Sequence, residues 1–259
     1  MIKNTFIAAL LFVMVACAPK SSVAESLVLD RDAHGAVVRI NPSEKKIFLI
    51  FSADSLFQGG ETILRILKEE NVKGSFFLTG NCLRLKEHEQ LIRNIIDGGH
   101  YVGGHSDGHI LYATWERRDS LIVTKEEIEQ DIVRNIQELE RFGVSKENSK
   151  WFLPPYEYYN RESVDITENL GYHVVNYTPG TVTPADYMSP KERNYKSSQV
   201  LIDMLYDFEE ANGLNGALLL IHPGPQPDRI DCLYDRLGEI IQHLKSKGYT
   251  FESLNQVEL

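Results

Sequence analysis

Cysteine and positive charge are both scarce in this sequence. Its three cysteines include no Cys-x-x-Cys pair of the kind that binds a metal, and Cys82 and Cys232 are so far apart that they neither require nor exclude a disulfide. Lysine and arginine number 27 against 37 aspartates and glutamates, which gives a formal net charge of -10. An acidic surface repels nucleic acid and other polyanions, so no nucleic-acid partner is expected.

Internal repeats, low-complexity tracts and long apolar runs are also missing. The chain has 259 residues, of which 42% are hydrophobic, and this is enough to bury one sizeable core. The opening apolar stretch runs from Phe6 to Ala16, behind the basic Lys3, and is too short for a comfortable membrane span. This layout is typical of an export signal.

The Val-Ala-Cys at the end of this stretch, followed by polar residues, resembles a bacterial lipoprotein box. We therefore expect residues 1–17 to be a lipoprotein-type signal peptide that ends at Cys17, the residue that would carry the lipid. The mature protein would then be exported to the cell envelope and anchored in the outer or the cytoplasmic membrane. Residues 18–42 are predicted to be a polar tether, and residues 43–259 a single folded domain.

Short apolar runs alternate with amphipathic stretches through that domain. The runs that indicate strands are 47–51, 75–78, 100–104, 151–153, 173–177, 217–221 and 249–254. One stretch between them starts with Thr124 and Glu127 in capping-box spacing and continues with apolar residues three to four positions apart, which predicts a helix. Alternating strands and helices favour a parallel sheet that is buried on both faces. The sequence therefore predicts an α/β fold, a deformed barrel of about seven parallel strands.

Polar residues follow several of these strands. In a parallel barrel the active site lies just beyond the C-terminal ends of the strands. Asp54 follows the first strand, and His105 and His109 follow the third, with a spacing that puts both imidazoles on one face if the segment turns helically. Three such ligands are the number found in catalytic zinc sites, which keep one position open. The sequence therefore predicts a divalent metal site, with zinc as the expected ion.

Three motifs resemble those of the NodB-type polysaccharide deacetylases, a family of carbohydrate esterases. They are, in chain order, HSDGH at 105–109, FLPPY at 152–156 and LLLIHPG at 218–224. The resemblance implies a deformed barrel that removes acetyl groups from N-acetylated sugars. It also implies that Asp54, His105 and His109 bind the metal, that Tyr156 offers a backbone amide to the oxyanion and that His222 is the general acid.

The sequence departs from this family where the catalytic base is expected. The family's first motif is TFDDG, in which the first Asp is the base and the second binds the metal, whereas this strand ends in FSADS. With Asp54 as the metal ligand, the base position falls on Ser52 or Ala53, and neither can take a proton at neutral pH. The arginine of the family's RxPY motif, which holds that base, is replaced by Leu153.

Two nearby carboxylates are candidate replacement bases. Glu157 directly follows Tyr156, and Asp107 lies between the two histidines. Glu157 is favoured, because Asp107 on a helical turn would point away from its flanking histidines. Two alternatives to a deacetylase stay open. One is a catalytically impaired protein that binds glycans on the same fold, and the other is a different metal-dependent hydrolase of amides or esters.

Aromatic side chains gather on the same loops, where flat rings with hydroxyl edges suit sugars. These side chains are Tyr112, Trp115, Tyr156, Tyr158, Tyr159, Tyr177 and Tyr187. The residues expected to contact the substrate or to orient His222 are Tyr158, Tyr177, Asp186, Asp228 and Arg229. The expected partner is an N- or O-acetylated oligo- or polysaccharide, and the expected reaction is the metal-dependent removal of its acetyl groups.

Overall fold

The computed structural model describes residues 27–259. The predicted signal peptide, its lipidation site at Cys17 and residues 18–26 of the predicted tether lie outside the described residues. Within 27–259, no helix is both long enough and apolar enough to cross a membrane. Cys82 is buried, Cys232 is half-buried, and both are free thiols.

One curled sheet forms the centre of the described fold. Its nine strands are β1 (Leu29–Arg31), β2 (Val37–Ile40), β3 (Lys46–Ala53), β4 (Ser75–Leu78), β5 (Tyr101–Gly104), β6 (Trp151–Phe152), β7 (His173–Val174), β8 (Ala217–Ile221) and β9 (Thr250–Glu252). They lie in the order β1-β2-β8-β3-β4-β5-β6-β7, with β9 beside β3. In this order, every neighbouring pair between β8 and β7 is parallel, and β9 is also parallel to β3. The predicted deformed barrel of about seven parallel strands is confirmed.

Helices connect most of the parallel strands. Those in the described part of the chain are α1 (Gly60–Glu69), α2 (Gly80–Arg84), α3 (Glu89–Asp97), α4 (Lys125–Glu140), α5 (Arg161–Asn169), α6 (Ser198–Asn212) and α7 (Leu237–Ser246). The predicted capping box of α4 is confirmed, since the Thr124 hydroxyl accepts the N–H of Glu127 at 3.2 Å and the Glu127 carboxylate accepts the N–H of Thr124 at 2.7 Å. It satisfies two amides that have no partner inside the helix.

Strand β3 shows how alternation along a strand positions the site. Phe48 and Ile50 belong to the cluster that fills the barrel interior, whereas Leu49 and Phe51 belong to the larger cluster under the helices. Successive side chains of a strand point to opposite faces. Ser52 therefore continues the interior face and lines the mouth of the barrel, while the neighbouring Ala53 packs under the helices.

The structure corrects the predicted tether. Residues 29–40 form a hairpin of β1 and β2, and β2 pairs antiparallel with β8. Val37 also makes a parallel bridge to Val175, just after β7, and this bridge joins the two ends of the curled sheet. The polar composition of 18–42 concealed the short run AVVRI at 36–40, because the partners that bury this run come from distant parts of the chain.

Ile40→Ala tests whether this hairpin stabilises the barrel. Ile40 is 1% exposed in the barrel interior, so the substitution leaves a cavity. We expect urea denaturation to show a free energy of unfolding lower by about 2–5 kcal/mol. Val28→Ala, at a side chain 47% exposed in the same segment, is the control and should change it by less than about 0.5 kcal/mol. Equally small effects at both positions would show that the hairpin does not stabilise the barrel and would favour the predicted tether.

Candidate active site

Polar side chains from four strand ends meet around one cavity. This cavity, of about 400 Å³, opens beyond the C-terminal ends of β3, β5, β6 and β8. The groups there that can carry chemistry are Ser52, Asp54, His105, His109, Glu157 and His222. A larger cavity of about 570 Å³ lies at the opposite ends of β5 and β6, beside His100 and Lys150, and none of those six residues lines it.

The two histidines of HSDGH lie on a strained loop and not on the helical turn that their spacing predicted. β5 ends at Gly104, and Ser106 and His109 have φ angles of 75° and 53°, in the left-handed region that such residues rarely adopt. The ring centroids of His105 and His109 still lie 5.1 Å apart. The shape of the loop, rather than a helix face, brings the two imidazoles together.

Two buried polar side chains of α4 hold this loop. Asp131 Oδ1 accepts the N–H of Asp107 at 3.1 Å and the N–H of Gly108 at 2.9 Å, and Asn135 Oδ1 accepts the N–H of His105 at 2.9 Å. Asp131 and Asn135 are fully buried. Each amide left unpaired there would cost about 1–3 kcal/mol. Sequence reasoning missed Asp131 and Asn135. The signal that could have found them is that both polar residues lie within the apolar stripe of α4.

Both imidazoles of the loop are neutral and present an unprotonated Nε2. Burial lowers the pKa of His105 to about 3, and its Nδ1–H donates to the carbonyl of Leu153 at 2.8 Å, which leaves the lone pair on Nε2. Burial also lowers the pKa of His109. The Nε2 of His109 accepts the backbone N–H of Tyr156 at 3.4 Å, and the rings of His109 and Tyr156 stack with centroids 4.2 Å apart.

Asp54 is ionised beside these rings. Half-burial opposes its charge, but hydrogen bonds from Thr79 Oγ1 at 2.8 Å and Asn81 Nδ2 at 3.1 Å outweigh that effect and lower the pKa of Asp54. A carboxylate and two neutral imidazoles are donor types that zinc accepts, so the chemistry of the set fits a divalent ion. Within residues 27–259, no three His, Cys, Asp or Glu side chains already lie close enough together to hold one.

Glu157 reaches the place next to Ser52 where the family's base was expected. Its Oε1 accepts a hydrogen bond from Ser52 Oγ at 3.3 Å and lies 3.7 Å from His105 Nε2. Its Oε2 lies 4.0 Å from His222 Nε2. Burial raises the pKa of Glu157, and the nearby His222 and the Ser52 hydroxyl only partly offset that rise. The carboxylate therefore lies in the cavity between two histidines.

Asp107, the other candidate base, is engaged elsewhere. Its carboxylate lies 2.6 Å from the guanidinium of Arg84 and 3.5 Å from that of Arg134. These two cations direct the side chain away from the cavity, for a reason different from the helical turn that the sequence suggested. Of the two candidate bases, the structure brings Glu157 and not Asp107 to the histidines.

His222 is paired with Asp186, which lies on the long loop after β7. His222 Nδ1–H donates to Asp186 Oδ1 at 2.6 Å, and the backbone N–H of His222 donates to Asp186 Oδ2 at 2.9 Å. Burial opposes the charged imidazolium, but the Asp186 carboxylate outweighs it and raises the pKa of His222. Asp228 and Arg229 do not reach His222. Asp228 pairs with Lys191 at 3.0 Å, and Arg229 is buried and donates to backbone carbonyls.

This chain matches a known protein family. The family model described as polysaccharide deacetylase matches residues 39–175, slightly more than half of the chain. The chain belongs to this family. The resemblance read from the sequence motifs is thereby confirmed.

Named relatives of this chain include two bacterial enzymes. Peptidoglycan-N-acetylmuramic acid deacetylase PdaA of Bacillus subtilis is 27% identical over 219 residues, which cover 84% of this chain and 73% of the relative. A chitooligosaccharide deacetylase of Sinorhizobium fredii is 24% identical over 202 residues, which cover 75% of this chain and 83% of the relative.

Solved structures show the same fold. Bacillus subtilis PdaA, a family 4 carbohydrate esterase, has a TM-score of 0.64 and 25% identity, over 85% of this chain and 83% of that one. A family 4 pseudoenzyme from Bacillus anthracis has a TM-score of 0.67 and 22% identity, over 87% of this chain and 69% of that one. The likeness to the pseudoenzyme is one of fold.

Leu153 marks where this chain departs from the RxPY pattern. Its side chain is fully buried in the barrel-interior cluster, together with Ile50 and Leu220. An arginine there would place a charge in this apolar cluster, and neither Ser52 nor Ala53 offers it the carboxylate that the family's base would supply. The backbone of Leu153 still serves the site, since its carbonyl accepts the Nδ1 proton of the first histidine.

Tyr158 and Tyr177, both expected to contact the substrate, are half-buried and do not line the cavity. The Tyr158 ring packs on Trp115 with centroids 4.2 Å apart, and its hydroxyl donates to the carbonyl of Thr114 at 3.0 Å. Tyr177 packs against the barrel-interior cluster. The aromatic side chains that line the cavity are Trp115, Tyr156 and Tyr187.

Asp186→Asn should lower the pKa of His222. With the carboxylate present, the imidazolium is stabilised and the proton stays bound to a pH above the ordinary value of about 6.5. Without it, burial dominates and the proton leaves at a lower pH. An NMR titration of the His222 ring measures this midpoint, and Asp228→Asn is the control that should leave it unchanged. Identical midpoints in wild type and Asp186→Asn would show that Asp186 does not set the charge of His222.

Proposed function

We propose that this protein is a metal-dependent hydrolase that removes acetyl groups from an N- or O-acetylated glycan. The observation that supports this is the position of Glu157. Its carboxylate lies 3.7 Å from Nε2 of His105 and 4.0 Å from Nε2 of His222. A carboxylate and an imidazolium so close favour each other's charged forms, which are the forms that a base and an acid need. The names of the relatives, a peptidoglycan and a chitooligosaccharide deacetylase, support the same reaction.

In the proposed reaction Glu157 takes a proton from the water that attacks the acetyl carbonyl carbon. Its raised pKa brings it nearer to the working pH and makes it a stronger base than a solvent-exposed glutamate. Ser52 Oγ donates to the same carboxylate and so orients it. The serine at the end of β3 would thus support a base that comes from another strand end.

Attack leaves a negative oxygen on a tetrahedral carbon, and the backbone N–H of Tyr156 would donate to that oxygen. This N–H faces His109 at the cavity and contacts its Nε2 at 3.4 Å. His222, kept protonated by Asp186, then gives its proton to the sugar nitrogen or oxygen as the bond to the acetyl carbon breaks. The products are acetate and the deacetylated sugar.

Asp54, His105 and His109 would hold the metal, with zinc as the expected ion. A bound zinc ion supplies Lewis acidity that polarises a carbonyl. Two of these three side chains have partners that orient them. Asp54 accepts hydrogen bonds from Thr79 and Asn81, and the ring of His105 is fixed by a backbone carbonyl.

Glu157→Gln tests the proposed base. The amide cannot take a proton, so acetate release from N-acetylated chitooligosaccharides or peptidoglycan fragments should fall by about 10²- to 10⁴-fold. Glu162→Gln, at an exposed glutamate in the first turn of α5, is the matched control and should keep the wild-type rate. A rate for Glu157→Gln within about twofold of wild type would remove Glu157 as the base.

Asp54→Asn tests the proposed metal site without measuring turnover. A neutral amide replaces the anionic oxygen opposite two neutral imidazoles, so zinc retained after dialysis should fall well below about one ion per chain. Asp119→Asn, at an exposed aspartate on a neighbouring loop, is the control and should retain zinc as wild type does. Full zinc content in Asp54→Asn would take Asp54 out of the ligand set.

A glycan-binding protein without catalysis is the second candidate function. Ser52 and Ala53 favour it, because neither supplies a carboxylate at the end of β3. Wild-type protein that binds acetylated glycans but releases no acetate would establish this second candidate. Cleavage of a different amide or ester, again without acetate release from glycans, would instead indicate another hydrolase.

We also propose that the protein is exported and held in the cell envelope by a lipid on Cys17. The basic residue, short apolar run and cysteine at the N-terminus support this location. A peptidoglycan substrate, as named for PdaA, would also lie outside the cytoplasmic membrane. The folded domain, which the sequence predicted to begin at residue 43, also includes the hairpin at 29–40, because β2 pairs with β8.

A further inference from the structure

A short hairpin at residues 112–122 lies at the edge of the cavity. Ala113 and Leu121 form an antiparallel bridge, and two further backbone hydrogen bonds of 3.0 Å, from the N–H groups of Thr114 and Ile122, cross the hairpin. Its Trp115 is 59% exposed and lines the cavity. None of the steps proposed above uses this hairpin, which we call the Trp115 hairpin.

The Trp115 hairpin is fixed in place from both of its sides. Arg118 Nε donates to the carbonyl of Tyr159 at 2.7 Å, and its guanidinium lies 4.7 Å from the centre of the Tyr158 ring. At the base of the hairpin, the Tyr112 hydroxyl donates to Asp131 Oδ2 at 2.8 Å. Asp131 is also the side chain that holds the histidine loop. The tryptophan therefore has a defined position relative to the proposed catalytic groups.

Trp115 has one supported face and remains largely open to solvent. The Tyr158 ring packs on it at 38° with centroids 4.2 Å apart, and Tyr156 meets it nearly edge-on at 6.1 Å. Tyr187 lines the same cavity beside His222. A large exposed aromatic surface at the rim of a polar cavity is typical of a binding groove, because covering the ring with a ligand releases water from apolar surface.

We propose that Trp115 is a stacking platform for the sugar ring next to the acetylated one, so that the protein recognises a neutral glycan chain rather than a single acetylated sugar. A pyranose ring has a flat C–H face that matches an indole, while its hydroxyls remain in water. The net charge of -10 disfavours acidic glycans as the occupant. The identity of the acetylated ring rests on the proposed deacetylase function, whereas the stacking contact does not.

Glycan binding measured without turnover tests the platform. Titration calorimetry on the full-length protein would use N-acetylglucosamine and the neutral N-acetylated chitooligosaccharides of increasing length. Trp115→Ala should weaken binding of the longer chains by about tenfold and leave the affinity for N-acetylglucosamine unchanged. Trp115→Phe, which keeps an aromatic face, should retain part of the affinity. Ile122→Ala, at a side chain 52% exposed on the same hairpin but outside the cavity lining, is the matched control and should bind as wild type.

The outcomes separate the platform from the proposed reaction. Unchanged binding in Trp115→Ala, an equal loss for every chain length, or wild-type protein that binds none of these sugars would each overturn the platform. Length-dependent binding that requires Trp115, without acetate release, would keep the platform and refute the hydrolase. Acetate release that Trp115→Ala leaves intact at every chain length would keep the hydrolase and refute the platform.

Discussion

The strained loop from His105 to His109 depends on α4 for the partners of its backbone. Left-handed φ angles at non-glycine residues cost on the order of 1–3 kcal/mol each, and unpaired buried amides cost similar amounts. Asp131 and Asn135 supply the missing acceptors from a fully buried position. Asp131 also holds the Trp115 hairpin through Tyr112. One helix face therefore sets the positions of both the histidines and the aromatic edge of the cavity.

The proposed base comes from a different strand end than in the family pattern. Strand β3 presents Ser52, and the loop after β6 presents Glu157, which reaches the same point through left-handed φ angles of 59° at Tyr156 and 51° at Glu157. Leu153 takes the place of the family's arginine, and its apolar side chain completes the barrel interior. Such exchange is possible because all strand ends of a parallel barrel meet around one mouth.

Burial alone does not decide the charge of a histidine at this site. His105 is buried and His222 is half-buried, and desolvation opposes the charge of both, yet the pKa of the first is lowered to about 3 and the pKa of the second is raised. The difference lies in what Nδ1 contacts, a neutral carbonyl in one case and the Asp186 carboxylate in the other. A neutral imidazole suits metal binding and a charged one suits proton donation, so the two proposed roles follow from the partners.

Periodicity, capping and motif order along the chain were enough to predict the parallel barrel, the start of α4 and the strand ends that present Asp54 and the histidines. These features depend on neighbours within a few residues. Composition alone did not predict the hairpin at 29–40, because its apolar residues are buried by strands that are distant in the sequence. The sequence favoured Glu157 over Asp107, but only the tertiary structure shows the contacts that place them, with Ser52 and with Arg84. It alone brings Trp115 rather than Tyr158 to the lining of the cavity. In each case the deciding contact joins residues far apart in sequence, and their distance is set by how strands and loops pack.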